Sequence, residues 1–262
     1  MLKRSILPRL LALVLLLLIV GVAGAQDAPT APTAVRVRVA HLAPFAGSDS
    51  ATIAVKVAGA AIGGTLAYGD HTGYQALAAG QGTHTIQVVR DGAVAITEAV
   101  TFDDGDASII VTGDDDNVAL AVLVLDDDLA APGEGQTGMR VSHVAAMGAT
   151  IEATQVDVCS QGGVIFHSSA AGLRYNRTSA YRLIDAGTYD LKVTRFVEDN
   201  PCTGPVVIDP PAITLAEGAK TTLFLVGDGP NQPLAVFTFE EGLIGDGSRV
   251  ESMLYLPAIR GD

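Results

Sequence analysis

The sequence has no Trp, only two Cys and an aromatic content of 5%. Two Cys are too few for a disulfide scaffold or a cysteine-ligated zinc site. So few aromatics mean that any core must be filled by Val, Ile, Leu and Ala. Positive charge is scarce as well. There are 16 Lys and Arg against 29 Asp and Glu, a formal net charge of −13. That charge repels nucleic-acid phosphates and anionic lipid heads, which argues against a general nucleic-acid or membrane-surface binder. Beyond the N-terminus there is no long apolar run; the longest clean one is Val118 to Leu125. The usual catalytic signatures are missing too: no His-Glu-x-x-His, no Gly-x-Ser-x-Gly, no phosphate-binding Gly-Lys-Ser/Thr loop and no Cys-x-x-Cys. What is present is a chain of 262 residues, 48% hydrophobic, too apolar for a disordered protein.

The first segment reads as an address. Lys3, Arg4 and Arg9 precede an apolar stretch from Leu10 to Val22, and Ala23-Gly24-Ala25 forms a small-x-small cleavage site. Cleavage before Gln26 is expected, giving a secreted or cell-envelope protein with no membrane span in the mature chain. The cut removes three basic and no acidic residues and takes the formal charge to −16. In an oxidising compartment Cys159 and Cys202 are expected to form a disulfide. On the chain-entropy view such a bridge stabilises by roughly 4 kcal/mol.

The remaining chain contains one unit twice. Arg38-Val39-Ala40-His41 corresponds to Arg140-Val141-Ser142-His143. Tyr68, Tyr74 and Gly80 share their spacing with Tyr175, Tyr181 and Gly187. Gly113-Asp114 followed by Leu120-Ala121-Val122 corresponds to Gly227-Asp228 followed by Leu234-Ala235-Val236. This divides the protein into a signal (1–25), an Ala/Pro/Thr leader (26–34), repeat 1 (35–128), a Pro/Gly linker (129–137), repeat 2 (138–241) and a tail (242–262). The linker is expected to set the angle between two domains.

Inside each copy the pattern has period two. Val35, Val37 and Val39 alternate with Arg36 and Arg38, so the valines are expected to face a core and the arginines water. Asp91-Gly92 predicts a tight hairpin. Ser108 to Thr112 and Val118 to Leu125 are continuously apolar, which suits central strands buried on both faces or on one face plus a domain contact. In the second copy, Thr188 to Phe196 and Val206 to Leu215 each read as a strand. Six or seven short strands per copy describe two tandem immunoglobulin-like or transthyretin-like antiparallel β-sandwich domains, an all-β protein.

These residues carry a resemblance. Val37-Arg38-Val39-Ala40-His41-Leu42-Ala43-Pro44, the Tyr-x5-Tyr spacing ahead of Ala79-Gly80, a hairpin and a Leu-Ala-Val strand with an acidic end resemble the domain of unknown function family 4397. The second copy departs from the pattern, with Ala145-Ala146-Met147 after the His and Gln161-Gly162-Gly163 in a turn. The resemblance implies a β-sandwich and an extracellular bacterial setting. It implies no catalytic residues.

Candidate functional residues are few. His41 and His143 recur and could ligate a metal or act as a base; the plainer reading is a His that bonds a loop and pins a strand end. Tyr68, Tyr74, Tyr175 and Tyr181 could stack on a sugar; the plainer reading is a ring on the core edge with its hydroxyl on backbone. Asp103, Asp104, Asp106, Asp114, Asp115 and Asp116 could hold Ca2+, which takes about six to eight oxygens. The alternative is solvated turns, and the same reading covers Asp126-Asp127-Asp128. His71 beside Asp70 is a weak hydrolase candidate. Arg260-Gly261-Asp262 spells an adhesion tripeptide, Asn176-Arg177-Thr178 a sequon, and Tyr255-Leu256-Pro257 either a sorting tail or a last strand. The function expected is a non-enzymatic exported module that binds a protein or glycan partner or acts as a spacer, with no cofactor other than the candidate Ca2+. A carbohydrate- or Ca2+-binding module and a hydrolase with an unrecognised site are the alternatives.

Overall fold

In the computed structural model the described residues are 34–45, 52–114, 118–127, 131–148, 150, 152–160, 165–167, 171–243 and 249–257. The signal and its cleavage site, Asp115, Asp116 and the Arg-Gly-Asp terminus lie outside them. The first half contains β1 (Arg36–His41), β2 (Ile53–Val57), β3 (Ala60–Leu66), β4 (Gln75–Ala76), β5 (Gly82–Arg90), β6 (Ala93–Phe102), β7 (Asp106–Thr112) and β8 (Ala121–Asp126). The second contains β9 (Gln136–His143), β10 (Val156–Ser160), β11 (Ile165–His167), β12 (Arg177–Thr178), β13 (Arg182–Asp185), β14 (Gly187–Tyr189), β15 (Leu191–Arg195), β16 (Val206–Ile208), β17 (Ile213–Leu215), β18 (Lys220–Val226), β19 (Ala235–Leu243) and β20 (Arg249–Pro257). No helix among the described residues is long and apolar enough to cross a membrane.

Each half is a sandwich. In the first, the sheet β4-β1-β7-β8 faces the sheet β3-β2-β5-β6. In the second, β12 and β13 border β9, followed by β18, β19 and β20; this sheet faces β11-β10-β15-β16 and the short pair β14-β17. The pairing is antiparallel except at one place in each half: β1 runs parallel to β7, and β9 parallel to β18. Asp91 and Gly92 adopt φ of 51° and 79° and join β5 to β6 with Arg90 opposite Ala93. Two positive φ values in succession form the tight turn that matches strand twist.

Three apolar layers hold this stack together. Val37, Val39, Ile109 and Val111 pack with Ile53, Val55, Ile86 and Val88 inside the first sandwich. Val141, Leu223 and Leu225 pack with Val158, Leu191 and Val193 inside the second. The third layer joins the halves: Ala40, Leu42, Ile110 and Leu125 meet Val144, Phe224, Phe237 and Phe239. Alternation along the central strands produces this arrangement. On β18, Leu223 and Leu225 point one way and Phe224 and Val226 the other. The chain from Ala34 onward is accordingly one compact unit. A shared core, and not a linker alone, fixes the angle between the halves.

Four local expectations need correction. Val118 to Leu125 is not a central strand: β8 is the last strand of its sheet among the described residues, and Ala121, Leu123 and Val124 are half-exposed. Arg38 does not face water; it is 1% exposed, because the other half covers the outer face of β1. Val206 to Leu215 is not one strand. Asp209-Pro210-Pro211 separates β16 from β17, since proline donates no ladder hydrogen bond. Thr188 to Phe196 is also divided, at Asp190, so that β14 pairs with β17 while β15 pairs with β10 and β16. The tail adds a last strand: β20 pairs antiparallel with β19 from Pro257 opposite Ala235 to Arg249 opposite Leu243.

Cys159 on β10 is bonded to Cys202, with Cα atoms 6.2 Å apart. The bridge pins the loop ahead of β16, whose Cys202 N–H also donates to the Asp157 carboxylate at 3.1 Å. Cys159→Ser/Cys202→Ser is expected to lower the unfolding free energy by about 2–4 kcal/mol, read from urea denaturation against the oxidised parent.

Candidate functional site

The residues that recur between the halves converge on the face that the halves share. Arg38 on β1 donates from Nε to Ser108 Oγ on β7 at 2.6 Å. Its guanidinium lies over the Tyr74 ring at 4.8 Å and the Phe239 ring at 4.7 Å. Arg140 on β9 repeats the arrangement: Nε donates to Thr222 Oγ1 on β18 at 2.8 Å, and the guanidinium lies 4.4 Å from the Tyr181 ring. Both strands place the arginine in a sheet row beside a hydroxyl on the parallel neighbour.

Asp127, just past β8, ties the two arrangements together. It is fully buried. Its carboxylate accepts from Tyr74 Oη and Ser108 Oγ, each at 2.5 Å, and from the Arg140 guanidinium. Arg38 Nη2 stands 3.7 Å away. The Asp127 carbonyl accepts from Lys220 Nζ at 2.7 Å, and Arg140 Nη1 donates to the Asp126 carbonyl at 2.6 Å. A buried carboxylate needs such partners, because taking an unpaired charge out of water is costly. The reading of Asp127 as part of a solvated acidic turn is thereby overturned.

At the other end of the interface sit the histidines and the remaining tyrosines. The His41 and Tyr68 rings are 6.2 Å apart at 82°, and those of His143 and Tyr175 are 6.3 Å apart at 81°. Ala43 N–H donates to His41 Nδ1 at 3.4 Å, and Ala145 N–H to His143 Nδ1 at 3.3 Å. His143 Nε2–H reaches the Thr154 carbonyl at 2.7 Å. These contacts fix His143 as the neutral Nε2–H tautomer. Burial, with Arg195 nearby, pushes its pKa down to about 4, against the bond to Thr154. The Tyr175 hydroxyl lies 3.1 Å from Thr112 Oγ1 of the other half. Burial pushes its pKa up to about 12. The Tyr74, Tyr175 and Tyr181 hydroxyls thus meet side chains in place of the backbone expected for them.

Because His143 is neutral when folded and titrates near 6.5 when unfolded, protons bind the unfolded chain preferentially between those values. Its contribution is fully present above about pH 6.5 and is lost as the pH falls toward 4, by up to about 3 kcal/mol. His143→Gln is expected to flatten that part of the stability profile, as measured by urea denaturation at intervals from pH 4 to 7.

Among the described residues the acidic candidates do not gather into one centre. Asp106 is held by Arg36, whose Nε and Nη2 lie 2.7 and 2.6 Å from its carboxylate oxygens. Asp103 and Asp104 are exposed at the rim of a pocket of about 90 Å³ that Asp106 and Asp126 also line. Asp114 is buried and accepts from Val118 N–H at 2.7 Å. Asp228 does the same for Asn231 and Gln232. The preceding glycines are required there. Gly113 has φ of 102° and Gly227 of 88°, and a Cβ would stand 2.5 Å from the Ala119 carbonyl oxygen or 2.2 Å from that of Pro233. Among the described residues no three His, Cys, Asp or Glu side chains form a metal-sized group.

Gly80 turns after Leu77, whereas Gly187 opens β14 opposite Leu215, as Gly82 opens β5 opposite Phe102. By pairing, Gly187 therefore matches Gly82. His71 Nδ1 lies 2.9 Å from the Thr72 carbonyl, its ring is 5.1 Å from that of Phe239, and Asp70 accepts from Ala67 N–H at 2.9 Å. Sequence reasoning missed Ser108, Thr222, Asp127 and Lys220. The available signal was the arginine that recurs within each Arg-Val-x-His motif.

Residues 37–154 match the family described as a domain of unknown function (DUF4397), in agreement with the motifs around His41. The match spans the first half from β1 and ends between β9 and β10 of the second. No curated protein matches the chain.

Proposed function

We propose that this chain is an exported, non-enzymatic module in which two copies of one sandwich unit are fused into a rigid body, serving as an extracellular or cell-envelope spacer that presents loops to a protein or glycan partner. The observation that carries this reading is the fate of the repeated polar residues. Arg140 joins the halves through Asp127 and Arg38 through Phe239, while Tyr74 is bonded to Asp127 and Tyr181 stacks on Arg140. His143 is held neutral and buried on a carbonyl. A fold that commits its recurrent chemistry to rigidity suits display and spacing, since loops on a stiff scaffold lose little freedom on binding. The N-terminal segment supports export.

Cell fractionation with N-terminal sequencing tests the placement: the mature chain should begin at Gln26 outside the cytoplasm, and an uncleaved cytoplasmic chain would refute it. A glycan array and capture from the cell envelope test binding. Calorimetry with Ca2+ is expected to show no heat. Turnover in an esterase, peptidase or glycosidase screen would overturn the non-enzymatic reading.

A further inference from the structure

The halves differ in how the outer face of one sheet is covered. In the first half, β2 and β5 pair with Ala54 opposite Val89 and Lys56 opposite Gln87. Val55 and Val88 between them face the core, so these four side chains face outward. None of the four is buried. In the second half, β10 and β15 repeat the pairing, with Asp157 opposite Thr194 and Cys159 opposite Lys192. Val158 and Val193 again face the core. Here, however, Asp157, Cys159 and Thr194 are fully buried. The connection to the next strand differs as well. β5 passes to β6 through Asp91-Gly92, whereas residues 196–205 join β15 to β16. This longer loop lays Cys202 on the outer face of β10, bonded to Cys159 and with its N–H on the Asp157 carboxylate.

The loop carries little that would hold it there without the bridge. From Val197 to Pro205 no side chain is buried, and only Cys202 and Gly204 are even half-buried. Asp199 and Cys202 have φ of 60° and 66°, in the left-handed region that residues with a Cβ disfavour unless their surroundings impose it. On the covered face, Thr194 Oγ1 is buried without a hydrogen-bond partner among the described residues. Water would make good that deficit if the face opened.

We propose that the Cys159–Cys202 bridge is a redox latch: a dithiol reductant releases loop 196–205 from β10 and uncovers Asp157, Cys159 and Thr194, while both sandwiches stay folded. One thiolate of the reductant attacks Cys202, the less buried sulfur, and Cys159 leaves and takes up a proton. The second thiol resolves the mixed disulfide. Two electrons pass to the bridge, the protein gains two thiols and the reductant becomes a disulfide. Cys202 is then no longer held at a positive φ, and the Asp157 carboxylate regains water. The core of this half lies on the opposite face of β10 and β15, and their ladder does not run through the bridge, so opening leaves both strands in place. This goes beyond the proposed function and needs no ligand or partner.

Treating the full oxidised chain with dithiothreitol in native buffer, then timing alkylation by iodoacetamide, tests it. Both thiols are expected to react, Cys159 within about tenfold of the rate of Cys202, while hydrogen exchange on β9 and β18 stays as slow as in the oxidised chain. Removing the reductant before alkylation should restore the bridge and hide Cys159 again. Cys202→Ser removes the bridge without a reductant and should leave Cys159 just as reactive. A bridge that dithiothreitol reduces only with denaturant overturns the proposal. So does a Cys159 slower than that margin after reduction, or one that stays unreactive in Cys202→Ser. Faster exchange on β9 and β18 in step with alkylation also overturns it, because the bridge would then be a staple for the whole half.

Discussion

Asp127→Ala is expected to lower the unfolding free energy by about 3–5 kcal/mol, the usual cost of removing one partner from a buried ion pair. The substitution takes away the carboxylate on which Tyr74, Ser108 and Arg140 converge and which Arg38 faces. Arg38 and Arg140 stay buried, at 1% and 4% exposure, and cannot turn to water without opening the contact between the halves. Equilibrium urea denaturation at neutral pH measures the loss. Asp127→Asn should recover only part of it, since an amide keeps the shape and one acceptor but not the charge. Replacing all three charged groups together, as Asp127→Leu with Arg38→Met and Arg140→Met, should cost less than Asp127→Ala. A buried ionic group exchanged whole for apolar side chains is often neutral or stabilising. A loss from Asp127→Ala below about 1 kcal/mol would place this carboxylate at an ordinary surface position.

Phe224→Ala is the second large effect. The ring is fully buried in the layer between the halves and meets Phe239 at 4.7 Å and 64°. Truncating a buried Phe costs about 3–5 kcal/mol, from lost burial plus the cavity left behind. Chemical denaturation followed by near-ultraviolet absorbance and far-ultraviolet circular dichroism reads the loss. What distinguishes this site from an ordinary core position is where the effect spreads. Phe224 belongs to the second half, yet its removal loosens the packing around Ile110 and Leu125 of the first. Hydrogen exchange on β7 and β8 should therefore quicken along with exchange on β18. An effect confined to the second half would show that the shared layer does not couple the two.

Much of this fold was legible in the sequence because period-two patterning reports directly which side chains a sheet buries. The valines of β1 and the Asp91-Gly92 turn were readable on that basis. So was the double burial of β7, whose uninterrupted apolar run needs a core on both sides. The Cys pairing followed from the even count of two and from the oxidising compartment that the N-terminal segment suggests. What stayed hidden was the meaning of Arg38. An arginine between valines reads as a solvent position, because local alternation cannot know that a second sheet lies over the other face. Asp127 was hidden for the same reason: in a run of three aspartates, nothing local marks the one that turns inward. The prolines at 210 and 211 were visible and could have divided β16 from β17 at once. The recurrence of motif residues along the sequence held the remaining clue. Arg38 recurs at Arg140 and Tyr74 at Tyr181, and each arginine proves to stack on the tyrosine of its own half.

The claim on which the account turns is that the two halves unfold as one body because they share a core and a buried charge cluster. Scanning calorimetry of the oxidised chain tests this most directly. The prediction is one transition whose calorimetric and van't Hoff enthalpies agree, as for a single cooperative unit. Two separable transitions, or a van't Hoff enthalpy near half the calorimetric one, would show two independent sandwiches on a linker and would contradict the account.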